Sequence, residues 1–212
     1  MAAGFFFEGA YDGGVLGCMI TSGFMYPLSP SSGQAAAVPV EVRHLEMLAP
    51  KSLGVRKRPD PQFRLRCAAR PDWQLNRELY LAVGGSWGWS DRLCWDDARW
   101  RAWVESPELV TLFCYQRQTP IGFAELLRRP LEGVEIVQMG LRPEFTGRGL
   151  GGWLLCEATR RAWATPTHRV FLRTSSGDHP AALTNFLARG FRAYKTVRHL
   201  AHHAENPALP AL

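Results

Sequence analysis

The sequence predicts an α/β domain with a mixed central sheet flanked by helices. From Phe63 onward, short runs of alternating apolar residues and longer runs at helical spacing follow one another in the order β α α β β β α β α β. The three consecutive strand patterns predict antiparallel pairing, and the helix after them predicts a crossover to a parallel strand. With 212 residues and 46% hydrophobic content, the chain suits one domain with a sizeable core.

The first half of the domain contains a strand, two helices and a hairpin. The predicted elements are, in order, a strand at 63–68, a helix at 70–83, a helix from about Asp96, and strands at 108–115 and 119–127. Pro71 and Asp72 are typical of a helix start, and Gly84 with Gly85 is typical of its end. A tight turn near Gln118 joins the two later strands.

The second half contains a strand, a crossover helix and a further strand–helix–strand unit. The predicted elements are a strand at 133–141, a helix at 150–164, a strand at 168–174, a helix at 178–189 and a strand at 190–200. Apolar residues at i, i+4 spacing, from Leu150 to Ala162, form one stripe of the first helix. Asp178 is the expected cap of the second helix, and Gly190 its stop.

The two ends of the chain lack regular patterning. Glycine, alanine, serine and proline are frequent in the first forty residues, which contain no Lys or Arg before Arg43. A signal peptide needs a basic start, and a membrane span needs about twenty apolar residues. We therefore expect residues 1–62 to be a poorly ordered or accessory extension, 63–199 the domain and 200–212 a tail, with no membrane partner.

Charge and cysteine content limit the partners and the compartment. A formal net charge of +6 favours anionic partners, but the chain lacks the basic stripe with interleaved aromatics that is typical of nucleic-acid binding, so we expect no nucleic acid. The five cysteines are odd in number, scattered and never spaced as CxxC. This pattern indicates neither a disulfide framework nor a metal site, and it favours a reducing cytoplasm.

A glycine-rich loop between the strand at 133–141 and the following helix predicts a phosphate site. Residues 147–152 contain four glycines. Such a loop presents free backbone N–H groups and the positive end of the helix dipole to a ligand. Because glycine weakens a helix by about 1 kcal/mol relative to alanine, so many glycines indicate close approach of a ligand rather than a simple turn.

Two known phosphate motifs fit the loop poorly. No Lys followed by Ser or Thr comes after the glycines, so the P-loop pattern fails. Gly147, Gly149 and Gly152 satisfy GxGxxG, which would suggest an oxidoreductase that binds a dinucleotide. However, five residues separate these glycines from the strand, and no acidic residue ends the next strand near Arg173.

The sequence "GLRPEFTGRGLGGWLL" resembles the acetyl-coenzyme A signature of the GNAT superfamily of N-acetyltransferases. The family hexad corresponds to Thr146, Gly147, Arg148, Gly149, Leu150 and Gly151, with Thr146 in place of the usual Gln or Arg. A second family block lies at "HPAALTNFLARGF", where His179 replaces the usual Asn and Phe186 stands at the Tyr position. The resemblance covers about 63–197 and implies a GNAT-like fold.

The resemblance implies acetyl-CoA as co-substrate and an amine as acceptor. Backbone N–H groups around Met139, Gly140 and Leu141 are expected to bind the pantetheine arm and polarise the thioester carbonyl. The other expected coenzyme contacts are Thr146, Gly147, Arg148, Gly149, Leu150, Gly151, Gly152, His179 and Phe186. The family transfers the acetyl group by direct attack in a ternary complex.

Glu135 and Tyr194 are the candidate catalytic residues. A primary amine is mostly protonated at neutral pH, so a base must accept its proton. Glu135 lies eleven residues before Thr146, the offset of a glutamate base in the histone-acetylating branch of the family. Strand alternation places Glu135 on the same face as Val137, Met139 and Leu141. Because Phe186 cannot donate a proton to the leaving thiolate, Tyr194, His179 or solvent is expected to do so.

The acceptor pocket is expected near the helices after the first strand, where tryptophans cluster. Trp87 and Trp89 lie in a glycine-bounded loop and can form apolar walls or cation–π surfaces for an amine. Trp100 and Trp103 have helical spacing and favour a core position. Arg92 could bind a substrate carboxylate. This composition favours a small amine or amino-acid-like acceptor.

The sequence is compatible with three functions. The first is a small-molecule N-acetyltransferase, the second a protein N-acetyltransferase, and the third a module that binds or senses acyl-CoA without turnover. The third would explain the departures at Thr146 and Phe186 together. Many members of the family pair, so a homodimer is compatible with the resemblance.

Overall fold

A computed structural model describes residues 37–202, and its side chains from 39 to 198. This part of the chain contains seven strands and four helices. In chain order they are β1 Ala37–Met47, β2 Phe63–Cys67, α1 Trp73–Gly84, α2 Asp97–Val104, β3 Leu109–Gln116, β4 Thr119–Arg129, β5 Gly133–Leu141, α3 Leu150–Trp163, β6 Val170–Ser175, α4 Ala182–Ala188 and β7 Arg192–His202. None of the described helices is long and apolar enough to cross a membrane.

The seven strands form one mixed sheet in the order β2-β3-β4-β5-β6-β1-β7. Strands β2 to β5 pair antiparallel, and β5 pairs parallel with β6 after the crossover through α3. The mixed sheet with flanking helices confirms the predicted fold class. Each element predicted from Phe63 onward is present, with bounds that differ by a few residues.

Strand β1 corrects the prediction that residues 1–62 lie outside the domain. It lies between β6 and β7 and pairs antiparallel with both. Its inward residues Leu45 and Met47 are 0% and 1% exposed and belong to the core. The domain therefore includes β1 and the linker that follows it, while residues 1–36 of the predicted extension and 203–212 of the predicted tail lie outside the described residues.

The core consists of two apolar clusters on opposite faces of the sheet. The larger cluster joins α3 and α4 to the inward residues of the strands, among them Leu112, Ile136 and Leu172. The smaller joins α1 and α2 to Phe113 and Phe123. Because neighbouring residues of a strand point to opposite faces, Leu112 and Phe113 mark the two sides. We call the side of Leu112 the α3 face and the side of Phe113 the α1 face.

Strand β5 contains a bulge that changes which residues share a face. Glu125 of β4 pairs with Gln138, whereas its neighbour Leu126 pairs with Ile136, so Val137 is an extra residue on β5. One extra residue reverses the alternation beyond it. Met139 packs with the α3-face cluster, whereas Glu135 alternates with Ile136 and points to the other side. The prediction that Glu135 and Met139 share a face is therefore wrong.

Two helices have an aspartate N-cap where the sequence indicates a helix start, and α4 does not. Asp72 caps α1 by accepting from the Leu75 N–H at 2.9 Å, and Asp96 caps α2 by accepting from the Arg99 N–H at 2.8 Å. Asp178 does not cap α4, which begins only at Ala182. Its carboxylate instead accepts from the Ser175 N–H at 2.8 Å and so fixes the turn after β6.

Candidate active site

Strands β5 and β6 pair over only three residues, and we call the space bordered by their unpaired parts the cleft. Their parallel register ends at Ile136 and Leu172. The Arg142 N–H donates to the Ile121 carbonyl of β4 at 2.8 Å. By strand alternation, the N–H groups of Met139 and Leu141 point the other way, into the cleft. The backbone groups that the sequence assigned to the thioester therefore line an open strand edge.

The loop at the end of β5 turns sharply into α3. A short 3-10 turn, Pro143–Phe145, is closed by Thr146, whose hydroxyl donates to the Pro143 carbonyl at 2.8 Å. Gly147 and Gly149 have φ angles of +73° and +74°, in the left-handed region that favours glycine. These two glycines let the chain turn back toward the cleft, and Gly149 is the N-cap of α3.

The first turn of α3 exposes backbone rather than side chains to the loop. The Leu150 side chain is fully buried, so this residue anchors the helix in the core. A Cβ added at Gly151 would meet nothing within 4 Å, and one added at Gly152 would lie 3.1 Å from the Asn185 amide oxygen of α4. No acidic residue lies in this turn. The free N–H groups and the helix dipole are therefore available to an anion.

Three arginines surround this helix start. Arg148 belongs to the predicted loop and lies 5.3 Å from the Phe145 ring centroid. Arg56 comes from the linker after β1, and its Nη2 would lie 2.7 Å from a Cβ on Gly149. Arg189 comes from the end of α4, and its Nη1 would lie 3.6 Å from a Cβ on Gly152. Sequence reasoning missed Arg56 and Arg189, because only the fold brings them to the loop.

These features fit a coenzyme with a pyrophosphate and an extended amide-containing arm. The glycines leave room that side chains would fill, and the helix start with its arginines suits phosphate oxygens. The open edge of β5 offers N–H donors to the amides of the arm. The residues that would hold acetyl-CoA are thus Met139 and Leu141 by their backbone, the loop 146–149, and the first turn of α3.

Glu135 lies in a buried ion-pair cluster at the opposite end of β5 from the loop. Its side chain is 4% exposed. One carboxylate oxygen accepts from Arg129 Nε at 2.8 Å, and the other from Arg173 at 3.2 Å. A general base needs an oxygen within hydrogen-bond reach of the amine. With a guanidinium on each oxygen, this geometry argues against a direct base role and favours a role in positioning Arg173.

The second candidate, Tyr194, lies on the edge strand, with β6 and β1 between it and β5. Its ring is 45% exposed and makes an edge contact with His44 of β1, the two centroids being 5.9 Å apart. Strands are spaced by about 4.8 Å, so Tyr194 lies roughly 14 Å from β5. The fold does not bring it to the glycine loop, and a direct proton donor role is not supported.

His44 is a half-buried imidazole that sequence reasoning missed. It pairs with Arg173, one residue beyond the point where β6 leaves β5. Burial lowers the pKa of His44 below its ordinary value of 6.5, and the positive charges of Arg173 and Lys195 lower it further. The ring is therefore neutral at physiological pH and able to accept a proton.

Arg92 is a core residue, contrary to its predicted role in substrate binding. It is 2% exposed, and its guanidinium donates to both oxygens of Glu125 at 3.1 and 2.7 Å. Tyr80, Trp95, Trp100 and Trp103 surround it, with ring centroids 4.6 to 5.6 Å away. Burial opposes the charge, but Glu125 raises the pKa of Arg92 above its ordinary value. Because the guanidinium is buried and paired with Glu125, a substrate carboxylate has no access to it.

The two loop tryptophans have different positions. Trp89 packs against Tyr80 and Phe123 in the smaller core cluster, so its position is structural. Trp87 instead contacts His179, the loop residue after β6, with ring centroids 4.9 Å apart. This contact links the loop after α1 to the loop after β6. Of the predicted site residues, Trp87 and His179 are thus brought together beyond the carboxyl end of β6.

The second predicted block lies on α4. Phe186 is 8% exposed and packs against Phe191 in the larger core cluster, so it contributes no polar contact. His179 Nδ1 accepts from the Ala181 N–H at 3.0 Å, which leaves Nε2 as its other ring nitrogen. Asn185, one residue before Phe186, is the polar α4 residue that faces the first turn of α3.

Comparisons with known proteins agree with this architecture. Residues 72–191 match the model of the acetyltransferase (GNAT) family. No curated protein sequence matches the chain. Among solved structures, a GCN5-related N-acetyltransferase from Sphaerobacter thermophilus is similar with a TM-score of 0.57 and 17% identity, covering 79% of this chain and 54% of that one.

Two further solved structures are similar at low identity. A GCN5-related N-acetyltransferase from Kribbella flavida has a TM-score of 0.55 and 17% identity, covering 74% of this chain and 56% of that one. An aminoglycoside acetyltransferase from an uncultured soil metagenomic sample has a TM-score of 0.53 and 12% identity, covering 62% of this chain and 90% of that one. The chain spans about half of the length of the Kribbella and Sphaerobacter proteins. Since the family match covers more than half of its residues, the chain belongs to the GNAT acetyltransferase family.

Proposed function

We propose that this chain transfers an acetyl group from acetyl-CoA to the primary amine of a small molecule or amino-acid-like compound, by direct attack in a ternary complex. The observation that carries the proposal is the cleft between β5 and β6, which ends at the glycine loop and the first turn of α3. Family membership supports acetyl transfer in general.

The protein groups at the cleft have distinct roles in this proposal. Acetyl-CoA, when bound, supplies an acetyl thioester that is reactive toward amines. The N–H groups of Met139 and Leu141 can donate to a carbonyl oxygen as negative charge develops on it. His44, which lies on β1 about 10 Å from β5 and is neutral because its pKa is lowered, accepts the proton of the incoming amine through intervening water. Glu135 holds the neighbouring Arg173 in place.

The contact between Trp87 and His179 supports a small acceptor. It joins the loops that follow α1 and β6. The end of α1 lies against the end of β5, where a Cβ on Gly140 would meet Val83 at 2.3 Å. A contact of this kind restricts the space over the cleft, whereas an extended peptide needs a continuous groove. A solved structure with this fold is that of an aminoglycoside acetyltransferase, whose name specifies a small-molecule acceptor.

Calorimetric titration with acetyl-CoA tests the coenzyme assignment. We expect wild-type protein to bind and Gly151→Trp to lose binding, because an indole at this position would fill the open space at the helix start. Gly151 has an ordinary helical φ, so the substitution adds no backbone strain. Thermal unfolding of the variant provides the control for folding. Folded wild-type protein that fails to bind would refute the proposal.

Thiol release with a panel of acceptors tests the chemistry. We expect release with small primary amines and little with lysine-rich peptides. Release with peptides alone would instead indicate a protein N-acetyltransferase. Binding without release on any acceptor would favour an acyl-CoA-binding or sensing module, the alternative suggested by Thr146 and Phe186.

A further inference from the structure

The linker after β1 is fastened to the two helices that flank the glycine loop. We call residues 54–58 the strap. The Gly54 N–H donates to the Arg189 carbonyl at the end of α4 at 3.1 Å. Cys156 of α3 donates its thiol to the Gly54 carbonyl and accepts from the Arg56 N–H, both at 3.2 Å. The backbone of Arg56 is therefore held against α3.

The side chain of Arg56 extends along α3 to its N-cap, Gly149. Its Cγ would lie 3.8 Å from a Cβ on Gly152, and its Nη2 would lie 2.7 Å from a Cβ on Gly149. Glycine at position 149 is thus what allows the guanidinium to approach. The amino end of a helix carries a partial positive charge, so a cation there is unfavourable unless an anion joins it.

Two other arginines lie at the helix start, and the strap contains two further basic residues. Arg148 and Arg189 flank the helix start, and Lys57 and Arg58 follow Arg56 in the strap. Within residues 39–198, none of Arg56, Arg148 and Arg189 forms an ion pair with a carboxylate, whereas eleven other arginines of that range do. The Nε of Arg189 is inaccessible and has no hydrogen-bond partner among these residues. The cluster therefore has the charge and the free donors to bind a strongly anionic group.

We propose that Arg56 binds the pyrophosphate of the coenzyme, so that the strap supplies a cationic arm to a site otherwise formed by the glycine loop and α3. This inference rests on the proposed use of acetyl-CoA. A guanidinium can donate two parallel hydrogen bonds to phosphate oxygens, and the hydrogen bonds of the strap limit the freedom lost on binding. We assign the pyrophosphate rather than the 3′-phosphate because Arg56 lies directly at Gly149, beside the free N–H groups of α3.

Titration of wild-type, Arg56→Gln and Arg64→Gln proteins with acetyl-CoA and with its 3′-dephospho analogue tests the inference. Arg64 is an exposed residue of the edge strand β2, and its substitution changes the net charge equally. We expect Arg56→Gln to weaken binding of both ligands about tenfold, the loss typical of one charge-assisted hydrogen bond. Arg64→Gln should leave both affinities within about twofold, since its charge is distant from the site.

Thermal unfolding without coenzyme gives a second measurement. Because Arg56 lies at the positive end of a helix, Arg56→Gln should leave the midpoint unchanged or raise it, whereas a residue with a merely structural role would lower it. Wild-type binding with equal or tighter binding by Arg56→Gln would overturn the inference, as would a loss confined to acetyl-CoA, which would indicate the 3′-phosphate. Failure of the wild type to bind would instead refute the proposed function.

Discussion

At the scale of single residues, the buried pair of Arg92 and Glu125 shows how a charged group becomes part of a core. Both side chains are at most 2% exposed, and Glu125 also accepts from Asn76 and from the Trp103 indole. Each charge offsets the desolvation of the other. The network fixes α1, α2 and the loop between them against β4.

This pairing predicts a large cost for removing one charge. Glu125→Gln keeps the shape of the side chain but leaves buried Arg92 with only the exposed Asp91, 3.6 Å from its Nε, as counter-charge, so we expect the free energy of unfolding to fall by about 3–5 kcal/mol. Urea titration followed by tryptophan fluorescence measures it. The matched control is Glu108→Gln, whose carboxylate pairs with Arg128 at an exposed site. That change should cost at most about 1 kcal/mol. Similar costs for both variants would contradict the buried role.

The lowered pKa of His44 predicts a pH dependence of stability. The folded state holds the His44 pKa below 6.5, so between the folded and unfolded values the unfolded chain binds more protons. The free energy of unfolding therefore rises with pH in this window. The contribution of His44 is fully present above about pH 6.5 and is lost as the pH falls through the pKa of the folded state. The charged groups that act on the ring are Arg173, Lys195, Glu135 and Arg169.

His44→Gln should flatten this dependence, because the amide does not titrate. We expect the urea midpoint of the wild type to fall more steeply than that of the variant between about pH 7 and pH 5. The difference between the two profiles isolates His44 from the other titrating groups. Parallel profiles would show that the His44 pKa is not lowered, and the proposed proton acceptor would then be charged at the lower end of the neutral range.

At the scale of elements, α3 begins with glycines that favour ligand access over helix stability. Gly151 lies in its first turn with an ordinary helical φ and open space where a Cβ would be. Gly151→Ala should raise the free energy of unfolding by up to about 1 kcal/mol and weaken acetyl-CoA binding. Calorimetry and urea titration of the same protein measure both effects. A gain in stability with unchanged affinity would indicate that the ligand does not approach this residue.

Gly152→Ala is the companion variant, because its Cβ would lie 3.1 Å from the Asn185 amide oxygen. That contact should reduce the gain in stability below that of Gly151→Ala. Equal gains for the two variants would show that α4 adjusts without cost.

The elements from Phe63 onward could be predicted because each has local signals. Asp72 and Asp96 are helix caps, and apolar periodicity marks the remaining elements. The orientation of Glu135 could not be predicted, because the extra residue Val137 becomes visible only when β5 is paired with β4. The glycine loop could also be predicted, because its four glycines lie within residues 147–152. Arg56, Arg189 and His44 reach the site through tertiary pairing, for which a single sequence gives no local signal.

At the scale of the whole molecule, β1 is the element that sequence reasoning misplaced. It contains Pro39 and several charged residues, and its partners β6 and β7 lie more than 120 residues away in the chain. Its outward side bears His44 and Glu46, residue types that are uncommon in an interior strand. The strand is interior by hydrogen bonding but polar on the face that bears His44 and Glu46, so its sequence resembles a surface segment.

The interior position of β1 predicts that its inward side chains stabilise the entire domain. Leu45 is 0% exposed and packs in the larger core cluster, whereas Leu48, just past the end of the strand, is 50% exposed. Leu45→Ala should lower the free energy of unfolding by about 2–5 kcal/mol, and Leu48→Ala by less than about 1 kcal/mol. Because β1 separates β6 from β7, the loss should appear in one cooperative transition, seen equally by circular dichroism and by tryptophan fluorescence. An accessory arm would give a neutral Leu45→Ala variant, or an early transition that leaves the tryptophan signal unchanged.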